Sequence, residues 1–263
     1  MIDETDAPLT ARLDDGRMTI WEHLAELRGR LVKCTIAVVL GMAFGFWLYE
    51  AWLLEFLLQP LFELVPDTTL VATDPLDPFA TRIKISAYVG IIMAMPVILW
   101  QIWRFVTPGL YPHEKRYAIP FVVSALALFA FGAAIAYYTL NPALQFLIGI
   151  GGTEVEPFYT PDNYVSLIAY MMLAFGIGFE FPVLLVALQI AGVLTPRKLI
   201  GWWRQAIVII VVFAAVATPS ADPISMMALA TPMVVFYGLA IVIGFLVQKA
   251  KRTKRAAETD ASV

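Results

Sequence analysis

Charged residues divide this 263-residue chain into long uncharged runs, and the lengths of those runs predict its architecture. Between Lys33 and Glu50 lie 16 uncharged residues, and between Lys84 and Arg104 lie 19. Arg116 and Glu154 bracket 37, and Asp162 and Arg197 bracket 34 with Glu180 as the single interruption. Arg204 and Asp222 bracket 17, and Asp222 and Lys249 bracket 26. A helix needs roughly 20 apolar residues to cross the hydrocarbon of a bilayer. The pattern therefore predicts an all-α, polytopic membrane protein with six transmembrane helices. The run after Arg204 is marginal, and helices five and six are read as short. The stretch from Tyr164 to Leu194 makes about 46 Å of helix against ~30 Å of hydrocarbon, so it must tilt or bend. The expected bundle is curved and concave, an open wall rather than a sealed pore.

Composition agrees with this reading. Hydrophobic residues make up 60% of the chain and charged residues 15%, against about 25% charge in soluble domains. The basic residues then orient the spans. Sixteen of the 18 lysines and arginines fall on alternate flanks, and such flanks are cytoplasmic. Both termini are thus expected inside. Arg82 and Lys84 are the exceptions, assigned to the outer mouth of the second span. Net charge is −3, so no basic field invites nucleic acid. The lone Cys34 excludes an internal disulfide and a Cys-based zinc cluster; no cofactor or metal is expected. No cleavable signal peptide is read at the N-terminus. Residues 1–18 read as a polar arm, 19–248 as the membrane domain, and 249–263 as a basic then acidic tail, expected to be disordered.

Two polar segments fall on the predicted cytoplasmic side. From Thr19 to Leu31 the chain reads as an amphipathic helix with a Thr19–Glu22 capping box. Ile20, Leu24, Leu27 and Leu31 form its apolar stripe, which suits a helix lying on the inner interface and bending into span one. Glu26 is spaced for an i,i+4 pair with Arg30, worth a few tenths of a kcal/mol on an exposed helix. In the second segment Pro108, Gly109 and Pro112 force a tight connection, and Glu114 follows near the start of span three. At mid-depth, Glu180 costs roughly 2.5–3.5 kcal/mol if charged and facing lipid, so it should meet protein, water or a proton. Pro182 and the small Gly176 and Gly178 flank it. Asp222 marks the turn before the last span.

One set of fragments carries more information than the pattern. His23-Leu24-Ala25-Glu26-Leu27-Arg28, the segment Phe105-x-x-Pro108-x-Leu110-Tyr111-x-His113-Glu114-Lys115-Arg116, and Phe175-Gly176-x-x-Phe179-Glu180-x-Pro182 occur in this order, with Gln59-Pro60-Leu61 and Thr218-Pro219-x-x-Asp222 between and after them. Together they resemble the TatC family, the receptor subunits of the twin-arginine protein translocase. The resemblance implies binding of paired-arginine signal peptides of folded proteins. It implies export driven by the membrane potential and single-span partners, TatA and TatB, in a complex holding further copies of the chain. It assigns Glu26 and Glu114 to the receptor surface, with Arg28 and Phe105 orienting or packing there. Glu180 becomes a partner-docking group, and Pro60 and Asp222 become structural or docking positions. Two rival classes are weaker. An enzyme lacks support, since there is no GxSxG or HExxH and only a conceivable two-His, two-Glu site at His23 and His113. A proton-coupled transporter is the alternative motivated by Glu180, but no paired acid or lysine stands in another span.

Overall fold

The computed structural model describes residues 20–66, 74–106, 118–151, 160–218 and 222–260. The described residues form eight α-helices and one π-helical turn. They are α1 (Ile20–Leu48), the turn Tyr49–Leu53, α2 (Leu54–Leu64), α3 (Asp77–Val106), α4 (Ala118–Gly151), α5 (Pro161–Ile190), α6 (Pro196–Gly201), α7 (Trp203–Ala217) and α8 (Pro223–Asp260). Five segments are long and apolar enough to cross a membrane, and α7 is a shorter apolar helix. This is the six-helix, all-α architecture that the uncharged runs predict.

Boundaries follow local chemistry. Proline opens α5, α6 and α8, where its missing N–H costs nothing and its φ suits the first turn. The Lys198 backbone N–H donates to Thr195 Oγ1 at the start of α6. Gly192 ends α5 with φ of 77°, a left-handed conformation that a side chain would strain.

Three expectations are corrected. The first span does not end at Glu50: the helical segment runs without a break from Leu24 to Leu64. Arg82 Nη1 donates to Glu50 Oε1 at 2.6 Å, so this carboxylate does not need to terminate a span. Within α1 the amphipathic segment is continuous with span one, and its Leu24, Leu27 and Leu31 are exposed. The last span is not short, since Pro223–Lys249 is 27 residues of apolar helix; its 26 uncharged residues already suffice. Finally, α8 continues to Asp260 where a disordered tail was expected. The Lys, Arg, Ala and Glu of that stretch are good helix formers, and a formed helix spares them the cost of nucleation. The arm 1–18 and the capping residue Thr19 lie outside the described residues.

Glycines set the closest helix contacts. A Cβ on Gly90 of α3 would lie 2.7 Å from Met42 N and 2.7 Å from Val38 O of α1. One on Gly132 of α4 would lie 2.7 Å from Phe175 O of α5. Small residues at such crossings replace the hydrophobic drive that lipid removes. Helix α5 sits at the centre, touching α3, α4, α7 and α8, with Phe175 and Phe179 fully buried. The single acid of that helix, past its first turn, is therefore carried by the best-anchored element.

Candidate functional site

The bundle presents two polar ends and one mid-depth acid. At one end, Glu26 and Arg30 of α1 form an ion pair, with Arg30 Nη2 donating to Glu26 Oε1. The bland i,i+4 pairing thus exists, but it is not a surface contact. Side-chain exposure is 13% for Arg30 and 25% for Glu26, and Arg30 Nη1 also donates to the Gln101 carbonyl of α3 at 3.2 Å. The guanidinium therefore ties the start of α1 to the end of α3. Sequence spacing revealed the pair and missed Gln101, because a backbone carbonyl leaves no mark in the sequence. Arg28 is exposed on the same helix, and Phe105 is half-buried at the end of α3. Trp103, 2% exposed, packs beside Phe121 with ring centroids 4.3 Å apart and fixes that end of α3 against α4. Glu114 and His113, and the side chains of Glu22 and His23, lie outside the described residues.

At mid-depth, Glu180 is half-buried on α5 and lines an apolar hollow of about 540 Å³ between α3, α5, α7 and α8. Met95, Leu99, Phe181, Ile210, Phe213 and Met233 are among its walls, and Glu180 is the one ionisable residue lining it among the described residues. Its Oε1 is buried with no hydrogen-bond partner among them. The flanking glycines are filled by neighbours: Phe129 of α4 lies against Gly176 and Phe213 of α7 against Gly178.

The opposite end is knit by ion pairs. Lys84 Nζ donates to both oxygens of Asp162, at 2.8 and 2.7 Å, and Thr81 Oγ1 donates to Asp162 at 3.2 Å. Arg82 reaches Glu50 and the Phe46 carbonyl and lies 4.0 Å over the Phe46 ring. The two basic residues that break the alternation of flanks are thus each paired with an acid. Asp222, 2% exposed, accepts from the Ser225 backbone N–H at 2.7 Å and caps α8. Pro60 is buried within α2. Both are held in the packed structure, and neither lies near Glu26.

Residues 22–232 match the family described as Sec-independent protein translocase protein (TatC). The chain belongs to the TatC family. It is 39% identical over 238 residues to the TatC of Aquifex aeolicus, covering 89% of this chain and 98% of that protein. It is 39% identical over 249 residues to the TatC of Frankia casuarinae, covering 90% and 68%, and 34% identical over 268 residues to that of Koribacter versatilis, covering 97% of each. A crystal structure described as the twin arginine translocase receptor TatC superposes with a TM-score of 0.73 at 39% identity, over 86% of this chain and 99% of that one. A second, in the detergent DDM, gives 0.74 at 40% identity over 84% and 99%. As a TatC, the chain is a multi-pass protein of the bacterial inner membrane that serves Sec-independent protein translocation, a translocase subunit rather than an enzyme. The matched span takes in Glu26, Pro60, Phe105, Glu114, Glu180 and Asp222 together.

Proposed function

We propose that this chain is the receptor of a twin-arginine translocase, binding paired arginines of signal peptides at a cytoplasmic surface built on Glu26 and Glu114. Arg28 and Phe105 orient or pack that surface. The observation that carries the reading is the environment of Glu26: a partly buried carboxylate beside a backbone carbonyl, already engaged with a guanidinium. Planar guanidinium forks pair with carboxylates through parallel, charge-assisted bonds, so the place that holds Arg30 suits a substrate arginine equally. The similar chain described as the twin arginine translocase receptor supports the assignment. Orientation is supported by charge: Arg28, Arg30, Lys33, Arg104, Arg197, Lys198 and Lys249 all lie toward the Glu26 end, which the positive-inside bias makes cytoplasmic.

We further propose that single-span partners of the TatA and TatB kind dock at Glu180, in the hollow between α3, α5, α7 and α8, and that the assembly contains more than one copy of this chain. An acid with a buried oxygen awaiting a donor supports this, because an unsatisfied polar group in hydrocarbon is costly.

The receptor reading is tested by titrating a fluorescent twin-arginine peptide against the purified full-length protein. Glu26→Gln and Glu114→Gln should each weaken binding by about 1.5–3 kcal/mol, the worth of a hydrogen bond to a charged group. Full-affinity binding by a well-expressed double Gln variant would overturn it.

A further inference from the structure

Where α5 turns back into α7, three exposed cations stand without an acid to pair them. We propose that α6 and the first turn of α7 form a binding site for an anionic phospholipid. Arg197, Lys198 and Arg204 hold its phosphate, and Ile200, Trp202 and Trp203 meet its glycerol and upper chains. The site is separate from the Glu26 surface and does not depend on the receptor reading.

Three observations carry the inference. The first is charge. Arg197, Lys198 and Arg204 fall within eight residues, all three are exposed, and none forms an ion pair among the described residues. No Asp or Glu occurs between Glu180 and Asp222, so this stretch supplies no acid of its own. Arg82 and Lys84, at the other end of the bundle, are each paired. Basic clusters at the end of a membrane span attract anionic headgroups. The second is the mixed character of the surface. Ile200, Trp202 and Trp203 are about half exposed beside the cations, and the Arg204 guanidinium lies 5.4 Å from the Trp203 ring centroid, close enough for a cation–π contact that orients it. Tryptophan suits the depth of lipid headgroups, with an apolar body and a polar N–H. A free anion has no use for the two rings, and a lipid has. Val208, Val212 and Val216, one turn apart along α7, continue the surface as an exposed apolar strip on which acyl chains can lie. The third is rigidity. Pro196 and Leu199 are buried, and the Tyr237 hydroxyl of α8 donates to the Leu199 carbonyl at 2.6 Å. The short helix is thus clamped to a membrane span, and its cations are presented with little ordering left for the ligand to impose.

The experiment reconstitutes the full-length protein in phosphatidylcholine vesicles carrying a trace of spin-labelled phosphatidylglycerol or spin-labelled phosphatidylcholine. Electron paramagnetic resonance reads the fraction of each that the protein immobilises. The unaltered chain should favour phosphatidylglycerol several-fold. Arg197→Gln/Lys198→Gln/Arg204→Gln should lose most of that preference. Arg204→Gln alone should lose part of it, and it carries the test if the triple variant does not reconstitute. Lys249→Gln/Lys251→Gln/Arg252→Gln removes as many charges from the end of α8 and should keep the preference. Excess inorganic phosphate should displace no more lipid than chloride at equal ionic strength, since both only screen. No preference in the unaltered chain, an unchanged preference in the Arg197, Lys198 and Arg204 variants, or an equal loss in the α8 variant overturns the site, the last by showing only a diffuse field. Displacement specific to phosphate makes it a site for the free anion and overturns the lipid assignment.

Discussion

At the residue scale, glycines decide how near the helices can come. Gly90 is the sharpest case, since its missing Cβ would meet backbone atoms of Val38 and Met42 rather than a side chain able to turn away. Gly90→Ala should therefore force α1 off α3, at a cost typical of overpacking, about 1–3 kcal/mol. A lowered midpoint of thermal unfolding in detergent checks this, and an unchanged midpoint would refute the contact. Gly244 offers a contrast: a Cβ there would first meet the Gln189 side-chain oxygen, which can rotate, although Gln189 Nε2 would then give up its 2.9 Å bond to the Ala240 carbonyl. The Glu26–Arg30 pair was legible in the sequence because i,i+4 spacing on a helix is a rule of geometry. Its burial and its tie to Gln101 were not, because both depend on the crossing of α1 with α3, which no local pattern encodes.

At the element scale, helix α5 joins the fold to the proposed docking function. It carries Glu180 beside Pro182, and the turns just before the acid bury Phe175 and Phe179, so the acid sits on a helix anchored by aromatic packing. Interhelical hydrogen bonds in membranes average about 0.6 kcal/mol, so one contact biases assembly and does not fix it. Glu180→Gln keeps the hydrogen-bonding and should retain substantial export and partner crosslinking; Glu180→Ala should lose both. If the two variants abolish export equally while partner crosslinking survives in each, ionisation matters more than docking and the assignment is wrong. Run lengths between charges located all six apolar helices, since the bilayer imposes a length that composition must honour. Their ends were less legible. Glu50 resembles a span terminus until Arg82 is seen beside it, and the basic stretch after Lys249 resembles a tail until it is seen to extend a helix already formed.

At the scale of the whole molecule, the two ends of the bundle differ in how they use charge. The Asp162 end closes its charges on itself through Lys84–Asp162 and Arg82–Glu50. The Glu26 end keeps many more basic groups and one partly buried ion pair, Glu26–Arg30. Between them the hollow beside Glu180 opens through an apolar wall, consistent with an open, concave bundle. The central claim is that a paired-arginine peptide engages the Glu26 end from the cytoplasm. Its most direct test places a photoreactive residue at exposed Leu24, near Glu26, or at exposed Val216, near the other end, in membrane vesicles of either orientation. A twin-arginine signal peptide should crosslink to the Leu24 probe in inverted vesicles, be competed away by an excess of unlabelled Arg-Arg peptide more than by Lys-Lys peptide, and leave the Val216 probe unlabelled. Crosslinking to Val216 alone, or to Leu24 only in right-side-out vesicles, would contradict it.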